Sequence, residues 1–352
     1  MLVSPEGEAM MRDVAQLAAS LRDEYEISML GPPDERTRFV AAGATFARWR
    51  PEGFIGMGIA ISRLRRLVER NRPDVVHAHG FPAIAVALGT FPNALARRTI
   101  ATFHDPQRDK ELPRKLVERK LPAYLRRGSA LVATYASLAR ALERRLLLDD
   151  NAITVISHAV DEPPSDAPLT RPPARPGPVV GWSGSLSADR AWETAIDAFV
   201  KIHAANPSAR MQVRGSGRAR QFVIAHARHA GVADAVAFRG DIPVAELFAA
   251  VDLMVVPKSR DAQPQAPLEA LLWGIPLVAA NVGALAEALS PMETGWLVDD
   301  DADGFRLGIE QAWSHIDAAW SGAAAQRPAA TRYGTTAVTE AYRELYREAL
   351  SR

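Results

Sequence analysis

Two acids in the carboxyl-terminal half stand at a spacing that could do binding chemistry. Asp261 and Glu269 have seven residues between them in DAQPQAPLEALLWGIPLVAANVG, Asp261–Gly283. Pro267 precedes the second acid, and an apolar run with helical spacing comes after it, closed by Gly274. Proline is tolerated at a helix start, where its missing N–H forfeits no bond. Glu269 is therefore expected in the first turn, beside unpaired N–H groups and the positive end of the helix dipole. Such an end is an anion site. A carboxylate there can accept hydrogen bonds from both hydroxyls of a vicinal diol such as a ribose. An acid in the preceding loop can do the same for a second polyol. Phosphates flanked by two sugars are the chemistry of a nucleotide-sugar. A plainer reading makes Glu269 a helix-start acid that satisfies the dipole and leaves Asp261 in solvent. Spacing alone favours the plainer reading.

Other residues with chemical potential are scattered. His104 ends a strand-like run in TFHD, and a lone histidine is usually structural. His77 and His79 alternate along a strand and share one face. With only Asp74 near at ligand spacing, they read as core or lining residues rather than metal ligands. Gly215-Ser216-Gly217 lies between Arg214 and Arg218 and would allow tight backbone approach to a ligand, but one GxG is a weak signal. Arg190 taken alone is a surface charge, and Asp299–Asp301 reads as a solvated loop. The chain has no cysteine, which excludes disulfides, thiolate catalysis and cysteine-ligated zinc and fits a reducing compartment.

The elements that must position these residues alternate. In the first half DVVHAHG (Asp74–Gly80), TIATFHD (Thr99–Asp105), ALVATY (Ala130–Tyr135) and AITVIS (Ala152–Ser157) read as buried strands. In the second half so do Pro178–Gly184, Arg210–Gly217, Ala235–Gly240, Leu253–Pro257 and Pro276–Asn281. Helical patterns such as GIAISRLRRLVERNR and AWETAIDAFVKIHAAN lie between them. This alternation predicts parallel sheets with crossover helices, hence an α/β chain of two Rossmann-like, doubly wound domains facing a cleft. Ligands of such sheets sit outside the carboxyl ends of the strands. The expected boundaries are an amino-terminal domain over 1–161, a linker over 162–178, a carboxyl-terminal domain over 179–330, and a last helix over 331–352 that is a candidate to cross back to the first domain. The linker, EPPSDAPLTRPPARPGP, has seven prolines in 17 residues. It cannot be helix or central strand.

The chain's 352 residues, 48% hydrophobic and 24% charged, suit two globular domains. Net charge is +1, with +5 over residues 1–161 and −4 over the remainder. The excess is local, so nucleic acid is not an expected partner. No apolar run reaches the length of a membrane span, and the amino terminus carries early acids without the apolar core of a secretory signal.

The layout resembles the retaining glycosyltransferases of family 4, which have the GT-B fold. The residues that carry the resemblance are Asp261 with Glu269-Ala270, then GIPLVAANVGALAEAL and ETGWLVDDDAD. Weaker features occur in the family's order: RPDVVHAHG, TIATFHD, ITVISHAVD, WSGSLSADRAWETAIDAF, MQVRGSGRA and AVAFRGDIPVAELFAAVDLMVVP. The resemblance implies a retaining transfer of a sugar from a UDP- or GDP-type nucleotide-sugar to an acceptor hydroxyl, with no metal or other cofactor. It implies Glu269 on the ribose hydroxyls and Asp261 on donor-sugar hydroxyls, with backbone groups of Gln265, Ala266 and Leu268 against the sugar and phosphate. His104 would stand near the reacting bond. Gly184, Ser185 and Arg190 would line a diphosphate clamp, with Gly215 and Ser216 near base or phosphate and Gly7 against the donor phosphate. This sequence departs from the pattern at several points. Asp261 replaces the usual Glu, Pro264 removes a donor, Ser185 stands where arginine is expected, and a single glycine, Gly7, follows a shortened first strand. The alternatives kept open are a GT-B nucleotide-sugar epimerase and a non-catalytic scaffold on the same fold. Two basic stretches, RLRRLVERNR and PQRDKELPRKLVERKLPAYLRRG, are candidates for peripheral contact with an anionic membrane. The expected location is cytoplasmic.

Overall fold

The computed structural model describes residues 1–3, 8–49, 53–90, 95–104, 119, 122–123, 130–165, 167, 170–186, 191–257, 265–289 and 295–351. The chain forms two compact units. One comprises Met1–Ala159 and Thr335–Arg352, the other Val160–Gly334.

The first unit is built on seven strands: β1 (Leu2–Val3), β2 (Ser28–Gly31), β3 (Thr45–Arg48), β4 (Val76–His79), β5 (Thr99–Phe103), β6 (Ala130–Ala133) and β7 (Thr154–Val155). They lie in the order β3-β2-β1-β4-β5-β6-β7, and every pairing is parallel. Strands β4 and β5 are buried along their whole length, as expected of a parallel sheet covered on both faces. Both residues of β7 are exposed, which corrects the expectation of a buried strand there. The apolar residues that made the pattern, Ile153 and Ile156, flank β7 and are the ones buried.

Helix Thr335–Ser351 packs on helix Glu8–Leu21 within this unit. Val338, Tyr342 and Tyr346 join Val14, Leu17 and Leu21 in one core cluster. On its outer face Arg343 pairs with Glu24 at 2.6 Å and with Glu340 at 3.1 Å. Exposed pairs of this kind contribute about 0–1 kcal/mol. Burying a large apolar side chain contributes about 1.5–3 kcal/mol. The apolar stripe, not the ion pairs, holds the helix in place.

The second unit carries β8 (Val179–Ser183), β9 (Arg210–Arg214), β10 (Val236–Gly240), β11 (Leu253–Val256), β12 (Leu277–Ala280) and β13 (Gly295–Val298). Their order is β10-β9-β8-β11-β12-β13, again wholly parallel. In both sheets the strand order reverses once, at β1/β4 and at β8/β11. A buried acid ties the amino ends of β8 and β11 together: Asp252 Oδ2 accepts from Val179 N at 2.8 Å, and its carbonyl accepts from Trp320 Nε1 at 2.9 Å. Burial pushes the Asp252 carboxyl above its ordinary range.

The proline-rich segment lies within this second unit. Arg175 donates to the Ala250 carbonyl at 2.7 Å, and the Arg171 guanidinium sits 5.8 Å over the Trp313 ring while pairing with Asp317. The two points where the chain passes between units are neighbours, for Val160 N donates to Tyr333 O at 2.9 Å. Asp299–Asp301 is exposed, as expected of a solvated loop, and Asp301 also caps helix Ala302–Ser314, accepting from the Asp303 and Gly304 N–H groups.

Candidate functional site

The strand order of the second unit selects a place for a ligand before any side chain is considered. In open parallel sheets ligands bind outside the carboxyl ends of the strands, where the order reverses. Here that is the edge where β8 and β11 end. The segment after β8 holds Gly184 and Ser185, and the helix after β11 holds Glu269.

The segments following β8 and β9 are laced together. Gly184 N donates to Arg214 O at 3.1 Å, Leu186 N to Ser216 O at 2.9 Å, and Ala219 N to Leu186 O at 2.9 Å. The pairing of β8 with β9 therefore continues past both strands. It needs glycine at two positions. A Cβ on Gly215 would lie 1.9 Å from Gly184 O, and one on Gly217 would lie 2.2 Å from Leu186 O; their φ values are +135° and +152°. The hydroxyl-bearing residues Ser185 and Ser216 are exposed at this edge, as is Arg218. Arg214 is spent on structure: Nε donates to Ile242 O at 2.7 Å and NH1 to Ser183 Oγ at 3.0 Å.

Helix Gln265–Trp273 follows β11 and so begins at the same carboxyl edge. All of it is buried except Ala266, which is half-buried. It starts two residues before Pro267, so Glu269 is its fifth residue, just past the first turn rather than within it. Pro267, the third residue, still forfeits no helical bond, because the first four N–H groups of a helix have no partner inside it. Glu269 is 8% exposed and Gln265 likewise. A carboxylate set in an apolar helix is costly unless it is paired or hydrogen-bonded. Leu268 is buried beside it. Asp261, Arg190 and Gly7, named from the sequence, lie outside the described residues.

In the first unit a second cluster has formed at the ends of β4 and β5. His77 Nε2 meets Thr102 Oγ1 at 2.7 Å, and its Nδ1 meets the Tyr346 hydroxyl at 2.8 Å. His79 lies against His77 with ring centres 3.9 Å apart and planes tilted by 36°, and its Nδ1 meets His104 Nε2 at 3.1 Å. His104 in turn lies 5.2 Å, ring to ring, from His158. His158 Nδ1 is 3.2 Å from Asp13 Oδ2, and Asp13 Oδ1 accepts from Ala159 N at 2.9 Å. All five side chains are buried. Burial, reinforced by neighbouring positive groups, holds His77, His79 and His104 well below the ordinary histidine value of 6.5. Burial pushes the Asp13 carboxyl up, but the facing His158 and His104 and the Ala159 N–H outweigh it, and the net shift is down.

His77 and His79 are thus core residues, as their shared strand face suggested. Asp13 and His158 are not singled out by any motif. Asp13 left a trace, however. It sits on the apolar stripe of Met10, Val14, Leu17 and Leu21, where a lone acid must have a partner.

Both halves of the chain match family models. Residues 10–162 match Glycosyltransferase Family 4, and residues 177–315 match Glycosyl transferases group 1. A 2-deoxystreptamine N-acetyl-D-glucosaminyltransferase of Streptomyces fradiae is 25% identical over 300 residues, 76% of this chain and 70% of that protein. A glycogen synthase of Mycobacterium tuberculosis is 29% identical over 246 residues, 66% of this chain. The match spans 58% of that synthase, rather more than half its length. Among solved structures, Anabaena HepE in complex with UDP aligns at a TM-score of 0.76 and 17% identity over 97% of both chains. A Rickettsia africae glycosyltransferase aligns at 0.77 and 14%, over 99% of this chain and 98% of the other. At such identities these structures speak for the fold.

Two outcomes are expected from the geometry. Gly215→Ala should destabilise the second unit by about 2–4 kcal/mol, because a backbone carbonyl cannot move aside as a side chain can. Gly231→Ala, at φ +76° with no atom within 4 Å of the added Cβ, should cost only about 1–2 kcal/mol. Tryptophan fluorescence in denaturant reads this unit, which holds Trp182, Trp192, Trp273, Trp296, Trp313 and Trp320; equal losses in the two variants would contradict the lacing. The second outcome concerns pH. His77, His79 and His104 have folded values below 6.5, so the unfolded chain takes up protons first as pH falls. Stability of that unit is greatest above about pH 6.5 and declines below it, each histidine adding up to about 1.4 kcal/mol per pH unit. Asp13, whose value is lowered, adds its loss further down, as pH falls below its ordinary 3.8. Urea unfolding followed at Trp49 checks this, and His79→Gln should flatten the slope; a level profile from about pH 7.5 to 5.5 would contradict neutral burial.

Proposed function

Taking as premise that the chain is a GT-B glycosyltransferase resembling Glycosyltransferase Family 4 over residues 10–162 and Glycosyl transferases group 1 over residues 177–315, we propose that it moves a sugar from a nucleotide-diphosphate donor to an acceptor hydroxyl with retention of anomeric configuration. The observation that carries this reading is the place of Glu269: a buried carboxylate one turn into a helix that starts at the edge where β8 and β11 diverge. In this reading Glu269 accepts from the two ribose hydroxyls, and the diphosphate lies against the amide end of Gln265, Ala266 and Leu268. HepE is solved with UDP and with UDP-glucose, which is in keeping with a nucleotide-sugar donor.

Departure of the nucleotide diphosphate leaves an oxocarbenium-like sugar and places new negative charge on the phosphate. Fixed donors aimed at that charge lower the barrier most. The edge formed by Gly184, Ser185, Gly215 and Ser216 offers rigid backbone and two exposed hydroxyls, and Arg190 and Arg218 supply cations. Asp261 holds hydroxyls of the donor sugar. The departing phosphate oxygen accepts the proton of the attacking hydroxyl on the same face of the sugar, so the step needs no pair of catalytic carboxylates and calls on no metal ion. His104 serves as a neutral hydrogen-bonding group: Nε2 is engaged with His79, while Nδ1 has no hydrogen-bond partner.

The acceptor is a hydroxyl compound. Contact with an anionic membrane surface would use helix Gly53–Asn71, whose Arg63, Arg65, Arg66 and Arg70 are exposed. No helix among the described residues is long and apolar enough to cross a membrane. The reading places the protein in the cytoplasm.

Glu269→Ala should remove two charge-assisted hydrogen bonds to the ribose and weaken UDP by about 2–4 kcal/mol, roughly 30- to 800-fold. Asp261→Ala should leave UDP affinity unchanged and cut turnover of the nucleotide-sugar. Calorimetry with UDP and GDP measures the first and donor consumption the second. Unchanged UDP affinity in the Glu269 variant would remove the assignment.

A further inference from the structure

We propose that Asp13, His104 and His158 form a binding site for a single first-row transition cation of the Zn²⁺ type, within the first unit. Each of the three offers one ligand atom, and these atoms all lie within 4.8 Å of one another. The residues are 5%, 6% and 3% exposed, so the donors are already stripped of water. One ring atom, His104 Nδ1, is buried without a hydrogen-bond partner, and His158 Nδ1 is faced only by Asp13 Oδ2 at 3.2 Å. Such orphaned polar atoms are rare in native proteins and ask for an occupant.

The spacing suits a cation. Two ligands held at 2.0–2.1 Å from zinc in a tetrahedron stand about 3.3 Å apart. His158 Nδ1 and Asp13 Oδ2 stand 3.2 Å apart. Two imidazoles and one carboxylate are a known zinc donor set that leaves a fourth position open. Imidazole in that set favours zinc, cobalt, nickel or copper over magnesium and calcium.

Outer partners that orient the ligands are also in place. Ala159 N fixes the second oxygen of Asp13 at 2.9 Å, and His79 Nδ1 meets the far nitrogen of His104 at 3.1 Å. Such contacts commonly set ligand orientation at metal centres. The ligands come from three separate segments: helix Glu8–Leu21, the residue directly after β5, and the turn after β7. A bound ion would therefore cross-link the sheet to its first helix. His77 and His79 do not belong to the set.

Only the functional consequence depends on the transferase reading. An ion on His104 takes up a ring nitrogen that the proposed reaction uses, so occupancy would slow sugar transfer. Binding itself stands or falls separately, and its test shares no variant with the test of Glu269.

The test uses the full chain, free of any histidine tag and stripped with a chelator. Co²⁺ is titrated while its visible absorption is followed, and Zn²⁺ is then added in competition. We expect one Co²⁺ per chain with the absorption of a low-coordinate site, displaced by one Zn²⁺, and a higher melting temperature with Zn²⁺ present. Asp13→Asn and His158→Gln preserve size and hydrogen-bonding capacity, and circular dichroism checks their fold. Each should weaken the ion more than about 100-fold, beyond the loss typical of an outer-partner change, and should abolish the thermal gain. Absence of a cobalt spectrum on the folded chain, or an affinity unchanged in both folded variants, would overturn the site and leave Asp13 and His158 as a hydrogen-bonded pair.

Discussion

Two backbone carbonyls, those of Gly184 and Leu186, occupy the space where side chains at 215 and 217 would begin. The second unit depends on that contact. Because nothing larger than hydrogen fits, the segments after β8 and β9 close on each other and extend the sheet's pairing beyond its strands. The edge that results is rigid and bears the exposed Ser185 and Ser216. It adjoins the point where strand order reverses, and the helix carrying Glu269 starts from the same side. A site for a charged ligand gains most when its donors need no reorganisation as the charge arrives. The lacing supplies such fixity from backbone atoms alone, while Arg214 is committed to holding the strand ends.

The first unit solves a different electrostatic problem. Four histidines and one acid are buried together, and a charged imidazolium could not be sustained at each position. Burial keeps His77, His79 and His104 neutral. Hydrogen bonds join Tyr346 to His77 and His79 to His104, and ring contacts join His77 to His79 and His104 to His158, so the row runs from the last helix to Asp13 on the first. The one group held firmly ionised is Asp13, against His158. Helix Thr335–Ser351 thus does more than cover apolar surface, because its Tyr346 hydroxyl ends the histidine chain.

Much of this is legible in the sequence, for reasons that differ by element. Short runs rich in β-branched residues such as DVVHAHG and PLVAAN read as buried strands, and β4 and β12 lie within them. Strands β2 and β3, SMLG and TFAR, give little signal because they are short, and TFAR is nowhere fully buried. GWLV is overshadowed by the acidic run Asp299–Asp301 beside it, yet it pairs with β12 as β13. Local rules reach the acids only in part. Pro267 marks a helix start and so points Glu269 to the first turn, but the helix begins two residues earlier. Asp301 reads as one of three solvated acids and is exposed, but its cap on the following helix is not displayed by the sequence. The meeting of Asp13 with His158 joins residues 145 positions apart, and no local pattern reports a contact of that range. The GSG turn gives only permission for close approach, and the partner carbonyls lie some 30 residues upstream.

Amide hydrogen exchange with and without UDP addresses the central claim most directly, since it reads the backbone where the ligand is placed and needs no substitution. The account predicts slowed exchange at Ser185, Ser216 and the Gln265–Ala266 amides on adding UDP, with the first unit's β4 and β5 unchanged. Saturating UDP that leaves these amides as they were, while protecting a different edge of the sheet, would contradict it.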